Sequence, residues 1–106
     1  MDRKQRLGLR LKELRKLRKL SQEELAERAS ISTQYVSNIE RGKENPTLDL
    51  LFKLADALKV SLGEMCDFES QGMNQKQAEQ AIREALRSAE PERLRIALKA
   101  VKAILR

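Results

Sequence analysis

The sequence predicts an all-α protein, with five helices in one domain and a two-helix extension after it. Leu, Ala, Glu, Lys and Arg, which favour helices, dominate its 106 residues. Apolar residues recur every three or four positions, and no stretch alternates apolar and polar residues as a strand does. Because only 3% of the residues are aromatic, we expect the core to be aliphatic.

The first predicted helix begins near Arg3, and over residues 7–20 its leucines recur along one helical face: Leu7, Leu11, Leu14, Leu17 and, at its end, Leu20. We expect Ser21 to stop this helix and to cap a second, short helix that ends by Ser30. Ser21 and Glu24 have the spacing of a capping box, in which each side chain accepts a hydrogen bond from the other residue's backbone N–H. The residues expected to face inward in helix two are Leu25, Ala26 and Ala29.

The third predicted helix follows a short turn. Ser32 is a suitable N-cap, and the helix is expected to run to about Arg41. Gly42 follows, where a glycine in the left-handed conformation ends many helices. In the turn itself, Ile31 is expected to insert into the core.

Helices four and five are predicted within residues 48–60 and 62–68, capped by Thr47 and Ser61. The fourth has an apolar face of Leu51, Leu54, Ala55 and Leu58. In the fifth, we expect both Met65 and Cys66 to be buried, with the thiol inert.

A polar break that contains a glycine, residues 69–74, divides the chain. We therefore predict one domain over residues 1–69 and a helical extension over residues 70–106. The extension contains one predicted helix over residues 75–88 and a second with Pro91 in its first turn. Two such helices bury too little surface to be stable alone, so their apolar faces need either the first domain or a second copy of the chain.

Charge is distributed unevenly along the chain. The net charge is +6, and residues 1–20 alone carry nine Lys and Arg against two acids. A basic excess suits a polyanionic partner without proving one. In helix one, however, we expect most basic residues from Arg10 to Lys19 to be a solvated face, with only residues 3–6 able to reach phosphate.

Several classes of site are excluded by residue content. The chain has one cysteine and no histidine, which excludes an intrachain disulfide and an ordinary Cys/His zinc site. We find no catalytic constellation and predict neither an enzyme nor a cofactor, and no small-molecule ligand is evident. The charged N-terminus and the absence of a long apolar run predict a cytoplasmic protein without a signal peptide or membrane segment.

Helices two and three together form a helix-turn-helix motif, SQEELAERASISTQYVSNIERGK, over residues 21–43. Ala26 is small where the two helices cross, and Val36 and Ile39 are spaced to anchor helix three in the core. The opposite face of helix three then carries uncharged donors and acceptors: Thr33, Gln34, Ser37 and Asn38. Such groups can read base edges in a major groove, where Asn and Gln pair with adenine and Thr contacts the thymine methyl group.

This motif resembles that of the phage-repressor and Cro type of helix-turn-helix proteins, the XRE family, which includes prophage repressors and the controller proteins of restriction–modification systems. The resemblance covers roughly residues 7–68 and implies a repressor-like DNA-binding domain that binds double-stranded DNA. The matching residues are Ser21, Gln22, Leu25, Ala26, Ala29, Ile31, Ser32, Val36, Ser37, Ile39, Glu40, Gly42, Pro46, Thr47, Leu48, Leu51, Leu54, Ala55, Ala57, Leu58, Val60 and Ser61.

The resemblance also implies roles for single residues. Base contacts are expected from Thr33, Gln34 and Asn38, with Ser37 beside them. Phosphate contacts are expected from Gln22, which also braces helix three, from Tyr35 on the backbone side, and from Arg41, Lys43 and Asn45 around the loop. Arg15 and Glu40 occupy positions that form an ion pair in related repressors. The family often has Gly at the turn where this chain has Ser30, which must then tolerate a left-handed or strained backbone.

For the apolar faces of the two C-terminal helices, a lid over the protein's own core and a dimer interface are both compatible with the sequence. We favour the dimer, because one recognition helix reads only a few base pairs and a twofold dimer doubles that number on an inverted repeat. The expected interface residues are Ile82, Leu86, Leu94, Leu98, Val101, Ile104 and Leu105.

The sequence thus predicts a sequence-specific transcriptional regulator, most simply a dimeric repressor, with helix 32–41 in the major groove. The alternative is a protein-interaction module on the same scaffold, of the antitoxin or anti-repressor type, which an apolar or charge-reversed face would have favoured. RNA binding lacks support because stacking aromatics are scarce.

Overall fold

In the computed structural model, which describes residues 1–105, the described chain forms seven α-helices and no strand. The all-α prediction is confirmed. The helices are α1 (Arg3–Leu17), α2 (Gln22–Ala29), α3 (Thr33–Glu40), α4 (Leu48–Leu58), α5 (Leu62–Met65), α6 (Gln75–Leu86) and α7 (Pro91–Leu105).

The chain divides into two compact units, one over Met1–Glu69 and one that begins at Ser70. Helices α1 to α5 form the first unit, and α6 and α7 lie in the second. In the first unit, α3 packs against both α1 and α2, α2 also packs against α4, and α5 contacts α1 and α4. Both helices of the helix-turn-helix motif therefore pack against the rest of the first unit, α3 against α1 and α2 against α4.

The core of the first unit is aliphatic, as the scarcity of aromatic residues predicts. Seven side chains are almost completely removed from water, and burying each such side chain stabilises the fold by about 1.5–3 kcal/mol. These seven are Leu11, Leu25, Val36, Ile39, Leu54, Leu58 and Met65.

Helix starts follow the predicted capping residues. The Ser21 hydroxyl accepts from the Glu24 backbone N–H at 3.0 Å, and the Glu24 carboxylate accepts from the Ser21 N–H at 3.0 Å, so the predicted capping box is formed. Ser32 and Thr47 cap α3 and α4 with the side-chain oxygen alone, and Ser61 caps α5 with a second capping box, formed with Glu64. These side chains satisfy backbone N–H groups that the first helical turn leaves without a partner.

Helix α1 begins at Arg3, where the sequence predicts it, because Asp2 caps it and forms a capping box with Gln5. It ends at Leu17, before the expected stop at Ser21, because Lys19 adopts a left-handed conformation with φ 57°. Leu17 belongs to the predicted apolar face but is 57% exposed, since the chain turns away at the last residue of the helix.

The prediction for Cys66 is also wrong. Cys66 is exposed, whereas its neighbour Met65 is fully buried. Helix α5 ends at Met65, so the buried position of this short helix is taken by the methionine and the next side chain points outward.

Gly8 lies where α1 passes directly over the C-terminal end of α3. A Cβ placed there would meet the backbone carbonyl oxygens of Ile39 and Glu40, the latter at 2.7 Å. Because backbone atoms cannot move aside as a side-chain tip can, only glycine allows α1 to approach α3 this closely.

Two basic residues, Arg10 in α1 and Arg18 at its C-cap, bind backbone carbonyl groups of other helices. Arg18 Nε donates to the Leu58 carbonyl at 2.8 Å, and its Nη2 donates to the Lys59 carbonyl at 3.2 Å. Arg10 Nε donates to the Glu64 carbonyl at 3.0 Å. Both guanidinium groups therefore satisfy carbonyl groups at helix C-termini, where a positive charge is also favoured by the helix dipole.

In the second unit, no residue of α6 or α7 is buried. Helix α6 ends at Leu86, two residues before the predicted end, and α6 and α7 make little contact with each other within the described residues. Ile82, Leu98 and Ile104 are each more than half exposed. In residues 1–105 every helix is too short or too polar to cross a lipid bilayer.

Candidate nucleic-acid interface

Helix α3 is anchored in the core by two side chains. Val36 is 0% exposed and Ile39 is 1% exposed, which confirms the predicted inward face. Tyr35 is half-buried and packs against the edge of the core. With one face fixed in this way, the helix cannot rotate about its axis without exposing aliphatic surface.

The opposite face of α3 carries the four polar residues expected to contact bases. Thr33 and Gln34 are exposed in the first turn, and Ser37 and Asn38 are half-buried one turn further on. All four side chains are uncharged and hydrogen-bonding. The structure therefore brings the four residues together on one accessible surface.

In the turn before α3, Ser30 adopts the left-handed backbone conformation that is expected where the family often has Gly. Ser30 has φ 57° and ψ 43°, which is the left-handed region. Its backbone N–H donates to the Glu27 carbonyl at 3.2 Å, and the next N–H, that of Ile31, donates to the Ala26 carbonyl at 3.0 Å. These bonds close the end of α2 although the residue is not glycine.

Glu40 joins three helices through its carboxylate. Arg15 Nε donates to Glu40 Oε2 at 2.7 Å, and Arg15 Nη2 donates to Glu40 Oε1 at 3.1 Å. Gln22 Nε2 also donates to Glu40 Oε1, at 3.1 Å. The side chains of Arg15 and Glu40 are only 10% and 3% exposed, so this bidentate pair links α1 and α2 to the end of α3 in a region shielded from water.

A second set of hydrogen bonds lies on the exposed face itself. Arg41 Nη2 donates to Asn38 Oδ1 at 2.7 Å, and Gln34 Nε2 donates to the same oxygen at 2.9 Å. Residues 34, 38 and 41 follow one another at helical spacing, so these contacts run along the exposed face of α3.

Beyond α3, the loop presents further polar groups. Gly42 has φ 73° and is packed against Gln5, as expected for a glycine that ends a helix. Lys43 and Asn45 are exposed, as is Arg41. Within residues 1–105 no cluster of His, Cys, Asp or Glu is arranged to hold a metal ion.

Three features of this surface were not found from the sequence. They are the close approach at Gly8, the carbonyl contacts of Arg10 and Arg18, and the link between Arg41 and Asn38. The first two depend on contacts between residues more than thirty positions apart. The third has a local signal, an Asn and an Arg three residues apart on a helix, which predicts that the two side chains meet.

The chain matches a family model and curated proteins. The model of the helix-turn-helix family matches residues 11–65. The chain is 36% identical over 87 residues to the HTH-type transcriptional regulator SinR of Bacillus subtilis, covering 77% of this chain and 78% of that protein. It is 45% identical over 56 residues to the immunity repressor protein of Bacillus phage phi105, covering 53% of this chain and 39% of the repressor.

The fold is similar to that of a solved regulator. The restriction-modification controller protein C.AhdI from Aeromonas hydrophila superposes with a TM-score of 0.58 at 40% sequence identity. The match covers 58% of this chain and 94% of C.AhdI. By contrast, the match to SinR covers more of this chain than its first unit contains, so it continues into the second unit.

Proposed function

Since this chain belongs to the XRE-type helix-turn-helix family of DNA-binding transcriptional regulators, we propose that it binds a specific double-stranded DNA operator with α3 in the major groove. The observation that carries this proposal is the division of α3 into two faces. Val36 and Ile39 are buried, while Thr33, Gln34, Ser37 and Asn38 stand on the accessible side. Uncharged amides and hydroxyls can distinguish base pairs, which a row of lysines cannot.

Phosphate contacts would orient α3 on the duplex. We assign them to residues around the ends of the motif, where exposed or half-buried polar groups flank the reading face: Gln22, Tyr35, Arg41, Lys43 and Asn45. Gln22 suits this role because its bond to Glu40 holds the side chain at the start of α2. The basic residues near the N-terminus add a sequence-independent attraction to DNA.

We further propose that the protein is a homodimer, acts as a repressor and recognises an inverted repeat. Support for the dimer comes from α6 and α7, where apolar side chains on the predicted face are left accessible to water. Such surface is rare on a monomer unless something covers it. The interface would consist of Ile82, Leu86, Leu94, Leu98, Val101, Ile104 and Leu105. The phage repressor among its relatives favours repression.

The test is a randomised-site selection with the purified protein, followed by affinity measurements on the selected duplex. We expect Gln34→Ala to weaken binding to that duplex by about 1–3 kcal/mol and to relax the preference at one base pair in each half-site. A matched control is Gln80→Ala, an exposed glutamine in α6 that, like Gln34, donates to a side chain four residues further on. If Gln34→Ala leaves base discrimination intact, the assigned reading face is wrong.

The second candidate function is protein binding by the same scaffold. It differs in its response to salt, because DNA binding through several phosphates releases counterions and weakens steeply as the salt concentration rises. A protein that selects no duplex, and whose complexes are insensitive to salt, would favour this candidate. The uncharged polar face of α3 supports the DNA interpretation.

A further inference from the structure

We infer that Arg41 is a positioning residue that leaves Asn38 only hydrogen-bond donors to present to DNA, so that Asn38 prefers guanine to adenine. This inference rests on the proposed function and adds a specificity to it. It also changes the role of Arg41, which the family resemblance assigns to a phosphate.

Arg41 determines which way the Asn38 amide points. The oxygen and nitrogen of an asparagine amide have nearly the same shape, so their assignment depends on what surrounds them. A guanidinium group has five N–H donors and no acceptor. The atom that lies 2.7 Å from Arg41 Nη2 must therefore be Oδ1 and not Nδ2.

Gln34 completes the arrangement. Its Nε2 donates to Asn38 Oδ1 at 2.9 Å, so both lone pairs of that oxygen are engaged. In the described part of the chain, Asn38 Nδ2 has no acceptor. Asn38 then has only its two N–H groups to present to a base.

The hydrogen bond to Asn38 leaves Gln34 with a different set of hydrogen-bonding groups to present to a base. Because Gln34 faces an oxygen, its amide must use the nitrogen in this contact, and its own Oε1 stays available as an acceptor together with one N–H. A side chain that offers one acceptor and one donor matches the N6 and N7 edge of adenine. Two amides of the same type, four residues apart, thus become different readers.

The major-groove edges then determine the preference at Asn38. Guanine offers two acceptors, O6 and N7, one for each N–H of Asn38 Nδ2. Adenine offers one acceptor, N7, beside the N6 donor, so an amide that only donates can make one bond there instead of two. Asn38 is half-buried and α3 is anchored by Val36 and Ile39, so the amide cannot regain the second bond by a shift of the helix.

The experiment is a randomised-site selection with four forms of the full chain: wild type, Asn38→Ala, Arg41→Ala and Lys43→Ala. The base pair whose preference disappears in Asn38→Ala identifies the position that Asn38 reads. Lys43 is the matched control, because it is exposed, carries the same charge and makes no side-chain hydrogen bond among the described residues. Thermal melting by circular dichroism establishes that each variant is folded.

At the Asn38 position we expect wild type to favour guanine over adenine by about tenfold, the size of one good base contact. In Arg41→Ala, sites with adenine at that position should be bound nearly as tightly as sites with guanine, and preferences at the other positions should not change. Lys43→Ala should lower the affinity for all sequences by the same factor.

Two results would overturn the inference while leaving the proposed function in place. One is adenine as the preferred base of wild type at the Asn38 position. The other is an Arg41→Ala preference that matches wild type, with a uniform loss of affinity like that of Lys43→Ala. A wild-type protein that selects no sequence at all would instead contradict the proposed function.

Discussion

At the scale of single residues, backbone conformation at the helix ends and the space between packed helices matter more for the fold than side-chain chemistry. Ser30, Lys19 and Lys59 all adopt left-handed backbone angles without being glycine, at a cost of about 1–2 kcal/mol each relative to the right-handed region. Gly8 is the opposite case, since its backbone angle is ordinary and its lack of a side chain is what matters. It therefore controls how closely α1 lies against the recognition helix.

We expect Gly8→Ala to lower the free energy of unfolding by about 1–3 kcal/mol, the usual cost of forcing an extra carbon into a packed site. The new Cβ would press on the carbonyl oxygens of Ile39 and Glu40 and displace α3. Urea denaturation followed by circular dichroism measures the change.

Gly63→Ala is the control for this substitution. Gly63 also lies in a helix, but a Cβ there would meet only the Ser61 hydroxyl, at 3.8 Å. Alanine should therefore be neutral or raise stability by about 0.5–1 kcal/mol. Equal effects of the two substitutions would show that the approach of α1 to α3 is not tight.

At the scale of elements, the short helices depend on their first turns. The second, third and fifth helices have eight, eight and four residues, lengths at which a helix is marginal without packing and caps. In α2, the hydrogen bond from the Ser21 backbone N–H lowers the pKa of Glu24, and the Ser21 side chain acts in the same direction. The ionised carboxylate is therefore favoured by the folded state.

This lowered pKa predicts a pH dependence of stability. A carboxyl group whose pKa is lower in the folded state contributes fully above its unfolded pKa, and the contribution is lost as the pH falls through the folded pKa. We expect wild type to lose stability relative to Glu24→Gln as the pH falls through that acidic range. Denaturant titrations from neutral to acidic pH measure it.

Glu23→Gln is the control for the pH experiment. Glu23 lies in the same helical turn, but its carboxylate accepts no capping hydrogen bond among the described residues. Its difference from wild type should change less with pH than that of Glu24→Gln. Parallel curves for the two variants would mean that the capping bond does not couple to protonation.

At the scale of the whole molecule, the two units differ in how they use apolar residues. All of the buried aliphatic side chains of the core lie between Leu11 and Met65. The apolar residues of α6 and α7 contribute none of them. The first unit therefore has what an independent domain requires, whereas the second has an apolar face that a second copy could cover.

Removal of residues 70–106 should leave a folded monomer that binds the operator poorly, because the core stays intact while the proposed interface is lost. Sedimentation analysis, thermal melting and operator affinity would be compared with those of the full chain. Leu98→Lys in the full chain is the matched point change, and it should also give a folded monomer. An unfolded truncation product would instead favour the lid interpretation of α6 and α7.

The sequence by itself determined the helical class, the capping residues and the division of α3 into two faces, because these depend on spacing within a few residues. Val36 and Ile39 are buried at the positions that periodicity predicts. Predictions were wrong at Leu17 and Cys66, each at the end of a helix, where periodicity does not say which way the chain turns. The roles of Gly8, Arg10 and Arg18 were decided only by the tertiary structure. Their partners are distant in sequence, and a close approach or a carbonyl contact exists only once helices have packed against each other.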